Sequence, residues 1–195
     1  MKRALLTAVI LTAFCLSAQE NYFPKGALSR FEQVDRGRAR WYSAQLKALD
    51  EPSLLETAKD QRLQAYRFVW LRSFDNPVAV RLDVRSDGTG GLTVKIADGA
   101  GGSEPGRLIH NTSVQITREQ TEGFVNRVNN VGFWDLPSYV DESGNDGSRW
   151  IIEGVKDGKY HLADRWTPEK GPIHDLGATL AFTLAGLKIP KDKLY

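Results

Sequence analysis

The sequence predicts a single α+β domain: an antiparallel sheet of about six strands with helices packed on one face and a helical hairpin at the N-terminus. Three observations predict it: segments that alternate apolar and polar residues, turn signals between these segments, and helical spacing of apolar residues before and after them. We expect an extended leader and helical hairpin over 19–65 and the sheet domain over 66–195. No internal repeat or break in composition suggests a further domain.

Residues 1–18 have the layout of a signal peptide. Two basic residues, Lys2 and Arg3, precede an uncharged run over 4–16, and small residues end the segment at Ala18. The uncharged run is well short of the ~20 residues that span a bilayer as a helix. We therefore expect cleavage after Ala18, no transmembrane segment in the mature chain, and a protein that works in the periplasm or outside the cell.

Cys15 raises the alternative of a lipoprotein signal, in which the cysteine becomes the first mature residue. That signal places a small residue before the cysteine, and the large side chain of Phe14 stands there instead. Cleavage after Ala18 would remove the only cysteine, so disulfides are excluded from the mature chain.

The charge of the chain changes with the signal peptide. Without Lys2 and Arg3, 24 of the 26 basic residues remain against 24 acidic residues, so the mature protein is formally neutral. Because nucleic-acid binding depends on a positive surface, we expect no nucleic-acid partner.

Two helices are predicted before the sheet. Ser29 and Glu32 have the spacing of a capping box, and apolar residues then recur at helical intervals up to Leu49. Pro52 breaks this run, and Ser53 with Glu56 predicts a second helix that extends to about Ala65. We expect the resulting hairpin to pack at an edge of the sheet or within the layer formed by the later helices.

Six strands are predicted, and the first three alternate as half-buried strands with one wet face. Two further helices are expected to cover the other face of the sheet. Thr117 and Gln120 have capping-box spacing before a helix over 118–131, and Pro172 precedes a helix over 173–185. Phe133 and Trp134 are expected to pack together and fill the apolar space under the sheet. The predicted strands lie at 66–74, 78–84, 92–97, 108–116, 149–155 and 159–165.

The last two strands carry the candidate binding residues. With Asp157 and Gly158 as a two-residue turn, Trp150 lies opposite Arg165 and Gly154 lies opposite His161. This register favours a cation–π contact between Trp150 and Arg165, worth about 0.5–1 kcal/mol if exposed. We therefore predict a ligand-binding surface formed by Trp150, His161, Arg165 and Trp166.

No residues in the chain have the spacing of a catalytic or metal site. The same register points Glu153 away from His161, which argues against an acid–base pair. The acidic loop 141–147 starts like a calcium loop, but Asp146 stands where glycine is required and Ile152 where a bidentate glutamate is required. The three histidines are too far apart in sequence to indicate a metal site. We predict no catalytic residue, no metal and no cofactor.

Four motifs resemble those of a family of exported bacterial proteins that has no known activity. They are Gly132–Pro137, Asp146–Gly154, Asp157–His161 and Asp164–Pro168, which follow the pattern GFWxLP … DGSxWIxEG … DGxYHxxDRWxP. The resemblance covers about 66–187. It implies an exported bacterial protein and transfers no catalytic residue.

Two functions remain open at this point. The first is a non-catalytic binding or interaction domain of the cell envelope, whose ligand is a peptide, a glycan or another exported protein. The second is a hydrolase that uses acidic residues of 141–164 together with His161. The separation of Glu153 from His161 favours the binding domain.

Overall fold

A computed structural model describes residues 21–142 and 144–195, and the predicted signal peptide lies outside these ranges. The described residues form one six-stranded antiparallel sheet with helices on both faces, which confirms the α+β prediction. Among these residues, no helix is both long enough and apolar enough to cross a membrane.

The strands run in the order β4-β3-β2-β1-β5-β6 across the sheet. The first four strands form a meander joined by turns, and the β5–β6 hairpin then pairs with the other side of β1. The strands are β1 (Gln64–Arg72), β2 (Val78–Val84), β3 (Gly90–Ala97), β4 (Leu108–Ile116), β5 (Ser148–Lys156) and β6 (Lys159–Trp166), and the helices are α1 (Glu32–Ala48), α2 (Leu54–Thr57), α3 (Arg118–Asn130) and α4 (Pro172–Ala178).

One face of the sheet packs against α3 and α4, as the sequence predicts. Phe124 and Val128 of α3 and Leu176 of α4 are buried in one apolar core with the aromatic residues of β1. Helix α4 continues as a π-helical turn over Thr179–Leu184, so the predicted helix over 173–185 changes its winding midway. Phe133 is fully buried in the same core, in a short 3₁₀ turn under the sheet.

The N-terminal segment lies on the opposite face of the sheet, so the predicted placement at an edge or in the α3–α4 layer is wrong. Tyr42 and Leu46 of α1 pack against Val69 of β1 and Ile151 of β5. These strand residues alternate with the core residues of the first face, which places them on the second face. The N-terminal segment packs on the second face because β1 carries apolar residues on both of its faces.

Burial on both faces corrects a second expectation. Eight of the nine residues of β1, and eight of the nine of β5, are buried, so these strands have no wet face. The second predicted helix is also shorter than expected. Helix α2 is a single turn that ends at Thr57, and β1 begins at Gln64.

The three predicted capping boxes have different outcomes. Thr117 and Gln120 form both bonds of the box at the start of α3. Ser53 accepts a hydrogen bond from the Glu56 amide at the start of α2. Ser29 does not cap α1, because the helix starts later than predicted, at Glu32. The Ser29 hydroxyl instead accepts a hydrogen bond from the Phe31 amide.

Candidate functional site

The β5–β6 hairpin has the predicted register. Trp150 pairs with Arg165 and Gly154 pairs with His161. Asp157 and Gly158 form the turn with positive φ angles of 52° and 75°. Two positive φ angles suit the tight hairpin turn that matches the twist of paired strands.

Trp150 belongs to the apolar core of the first face. The side chain is 5% exposed, and the ring lies 4.8 Å from that of Phe68 and 5.5 Å from that of His174, centroid to centroid. The expected cation–π contact with Arg165 does not form, because the Arg165 guanidinium turns to the Asp164 and Pro137 carbonyls at 2.8 and 2.9 Å.

Arg165 and Trp166 line a surface groove of about 430 Å³ at the end of β6, which we call the Trp166 groove. The groove combines apolar side chains and prolines with charges of both signs. Its lining residues are Leu136, Val140, Glu142, Arg165, Trp166, Thr167, Pro168, Glu169, Lys170, Pro172 and Ile173.

The Trp166 ring is held in place from the side away from solvent. The Arg149 guanidinium lies 4.9 Å from the ring centroid. Gly147 passes so close that an added Cβ would lie 2.7 Å from the indole. The backbone at Gly147 also has a φ of 153°, which few side chains allow. The indole therefore reaches the groove already oriented.

His161 lines a separate surface depression of about 590 Å³ with Trp134, Asp135 and Lys159. The ring packs edge-on against Phe133, with 5.0 Å between centroids. Burial lowers the pKa of His161 despite the opposing influence of the Leu136 backbone and of Asp135. The four predicted binding residues therefore do not share one surface: Trp150 is in the core, His161 lines this His161 depression, and Arg165 and Trp166 line the Trp166 groove.

A buried cluster of charges lies on the second face, beneath the N-terminal segment. Arg67 of β1 is fully buried and lies 2.6 Å from Glu153 of β5 and 3.2 Å from Glu51, which follows α1. The Tyr160 hydroxyl donates to the second Glu153 oxygen at 2.9 Å. Arg81 and Lys95 each reach Glu51 at 3.2 Å. We call these six residues the Arg67 cluster.

Each acidic residue of the Arg67 cluster contacts at least two other members of the cluster. Burial raises the pKa of Glu153, although Arg67 and Tyr160 oppose this shift. Arg67 alternates with Tyr66 and Phe68 in the first predicted strand, so the sequence pattern places it on the wet face and does not predict the cluster. The available signal was the unbroken apolar run that follows it over 68–71, since such runs are typical of strands buried on both faces.

A second buried group connects α1 to the hairpin. Asp164 of β6 accepts a hydrogen bond from the Tyr42 hydroxyl at 2.9 Å and lies 3.6 Å from the Arg149 guanidinium. Burial raises the pKa of Asp164, and Arg149 opposes the shift. Arg149 thus contacts Asp164 as well as the ring of Trp166, so this Asp164 triad supports one wall of the Trp166 groove.

The acidic residues considered for a hydrolase do not converge on His161. Glu153 and Asp164 are buried on the second face, whereas His161 lies on the first face of the same strands. Asp141 is exposed and pairs with Arg30 at 3.0 Å. Within 21–142 and 144–195, no three His, Cys, Asp or Glu side chains lie close enough together to hold a metal ion.

Neither protein-family models nor curated proteins match this chain. The resemblance to a family of exported bacterial proteins therefore stays a prediction from the sequence.

Proposed function

We propose that this chain is an exported, non-catalytic binding domain of the bacterial cell envelope and that its ligand lies in the Trp166 groove. The observation that supports this proposal is the packing of buried side chains behind the groove. A buried Arg149, paired with Asp164, holds the indole of Trp166 at the surface. A preoriented aromatic ring lowers the entropic cost of binding.

The lining of the groove favours a short peptide segment over a purely apolar ligand. An apolar side chain would pack on Trp166 and on the half-buried Leu136. Arg165 uses two of its five N–H donors on backbone carbonyls, so others remain for a ligand carbonyl or carboxylate. Glu169 and Lys170 are exposed at the rim and would select charges of the opposite sign.

The hydrolase alternative rests on the His161 depression alone. His161 and Asp135 line this depression, and a lowered pKa leaves the imidazole neutral and able to accept a proton near neutral pH. Glu153 and Asp164 cannot assist, because both point to the other face of the sheet. If a turnover were found, a His161→Ala variant that kept it would exclude this alternative.

Export is tested by fractionating cells that express the full chain. We expect the protein in the periplasm or the medium, with Gln19 as its first residue by N-terminal sequencing. Intact Met1 on a protein confined to the cytoplasm would contradict the proposal. A mature chain that starts at Cys15 and carries a lipid would support the lipoprotein alternative.

Binding is tested by panning the exported protein against a phage-displayed peptide library and, in parallel, an array of cell-wall glycan fragments. We expect peptides that raise the melting temperature of the protein, since a ligand that binds only the native state stabilises it. Arg165→Ala and Lys170→Glu should weaken this effect. Arg127→Ala, an exposed arginine on α3, is the matched control and should bind like the wild type.

The outcomes separate the ligand classes. Enriched peptides whose binding survives both groove substitutions would place the site elsewhere and contradict the proposal. Binding of glycans alone, lost with the same substitutions, would keep the groove but change the ligand class. No binding from either library would contradict a role for the groove in binding these ligands.

A further inference from the structure

The outer edge of β4 is open. This nine-residue strand ends the sheet on the side away from the Trp166 groove, and its seven residues over 109–115 are exposed. Val114, on the same face as α3, is 50% exposed, so the helical layer leaves this part of the strand uncovered, although Ile116 at its end is buried in the core. Among the described residues, no strand pairs with the outer edge of β4.

Edge strands usually carry features that prevent pairing with another chain, such as charges, prolines or a covering segment. The opposite edge has such cover: Tyr139 forms a β-bridge to Asp164 of β6, and the Asp164 amide donates to the Ser138 carbonyl at 2.7 Å. By contrast, β4 has no charged residue and no proline over its nine residues. Its one irregularity is a register shift opposite Ile96 and Ala97, near the start of the strand.

We propose that β4 pairs antiparallel with β4 of a second copy of this chain, so that one sheet continues through both copies. A two-fold axis near Thr112 would bring the outer edges of the two β4 strands together. The outward N–H groups of each strand would then face the outward C=O groups of the other, as a self-complementary interface requires. Because β4 is uncharged, self-pairing places no like charges opposite each other. This property selects a second copy over a charged partner segment.

The side chains of β4 are compatible with this pairing. About an axis at Thr112, this residue faces its own copy, and Asn111 faces Ser113 on the second face of the sheet. Such polar pairs hydrogen-bond across strands and contribute about 0.2–1 kcal/mol each. On the first face, Val114 faces His110, which would cover part of the exposed valine. An interface formed by one strand is small, so we expect a dimer that dissociates on dilution.

The test is the oligomeric state of the exported protein, measured by sedimentation velocity across a wide concentration range. We expect a concentration-dependent dimer for the wild type. Thr112→Lys should be monomeric, and Thr112→Glu likewise, since each places like charges together. An equal mixture of the two variants should restore a dimer. Because Thr112 is exposed, both variants should keep the wild-type circular dichroism spectrum. They should also keep the wild-type melting temperature at concentrations where the wild type is monomeric.

Asn126 provides the matched control, because it is exposed on α3 and lies beside Gln64 of β1 and Val84 of β2, away from the β4 edge. Asn126→Lys and Asn126→Glu should dimerise like the wild type. A wild-type protein that stays monomeric at every concentration would overturn the proposal. A dimer that survives Thr112→Lys would overturn it as well.

Cysteine substitutions test the geometry of the interface, because the predicted mature chain has no cysteine of its own. Paired strands place facing Cα atoms within the range that a disulfide bridges. About the axis at Thr112 only this residue faces its own copy, so Thr112→Cys should crosslink faster under mild oxidation than Asn126→Cys. Equal rates at the two positions would contradict β4 pairing about this axis, whatever the oligomeric state.

Discussion

Aromatic and aliphatic side chains from α3, α4 and the strands fill one face of the sheet, whereas the other face buries two groups of charged residues under the N-terminal segment. The first face includes Trp70 and Trp150, whose ring centroids lie 5.1 Å apart. The second face contains the Arg67 cluster and the Asp164 triad. The same two central strands, β1 and β5, contribute to both faces.

The difference between the faces lies in how each fixes the position of its helices. Apolar contacts are non-directional, so α3 and α4 are located by shape and close packing. Buried ions are stable only with their partners in place, so Glu51 must reach Arg67 and Tyr42 must reach Asp164. The second face therefore specifies where the N-terminal segment lies by individual contacts.

The largest effect is expected from Arg67→Met. The substitution leaves Glu153 and Glu51 buried without this counter-ion, and breaking a buried ion pair costs about 3–5 kcal/mol. We expect a loss of this size in the free energy of unfolding at neutral pH, measured by urea denaturation. A loss below about 1 kcal/mol would show that water or rearrangement compensates the carboxylates, and would remove the distinction between the faces.

The double variant Arg67→Met with Glu153→Leu separates the loss of the pair from the loss of one partner. An apolar replacement of a whole buried pair is often neutral or stabilising. Glu51 would keep Arg81 and Lys95 as partners. We expect the double variant to be more stable than Arg67→Met alone. Equal or lower stability would indicate that the charge of Glu153 is needed for another reason.

An intermediate effect is expected on the apolar face from Gly177→Ala. A Cβ at Gly177 of α4 would lie 2.7 Å from the Trp150 ring, so the substitution overpacks the core. We expect a loss of about 1–3 kcal/mol. Gly123→Ala on α3 is the matched control, because nothing lies within 4 Å of its added Cβ. This control should gain about 0.5–1 kcal/mol from helix propensity, and two effects of the same sign would contradict the model of close packing.

The smallest effect is a pH dependence due to Asp164. Because its pKa is raised in the folded state, the folded protein holds this proton at pH values above the ordinary 3.8, where the unfolded chain has released it. The stability of the wild type should therefore fall, relative to Asp164→Asn, as the pH rises from about 4 towards the folded-state pKa. Urea denaturation at several pH values measures this difference, and a difference that stays constant or rises would contradict the shift.

Much of the fold follows from patterns that lie close together in sequence. Alternation predicts the first three strands, the Asp157–Gly158 turn predicts the hairpin and the register of β5 and β6, and Thr117 with Gln120 predicts the start of α3. Each of these depends on residues within one segment or one turn. The predicted binding residues Arg165 and Trp166 share a groove for the same reason, as neighbours in one strand.

The remaining features depend on contacts between distant segments. Glu51, Arg67 and Glu153 come from three parts of the chain, and no spacing rule brings them together. The face chosen by α1 depends on those same contacts. Trp150 is predicted at a binding surface because it lies opposite Arg165, but α4 covers its ring, and this cover is a tertiary effect.

The pairing of β1 with β5 has a consequence for how the chain folds. Strands β1 to β4 and the β5–β6 hairpin are two locally connected units, and among the described strands the β1–β5 pairing is the one that joins them. Arg67 lies directly opposite Glu153, although the two are 86 positions apart in the chain. A slip of one residue would turn Glu153 to the apolar face, where it has no counter-ion. The buried pair therefore disfavours misaligned docking of the two units, and because this pairing is long-range it is expected to limit the folding rate.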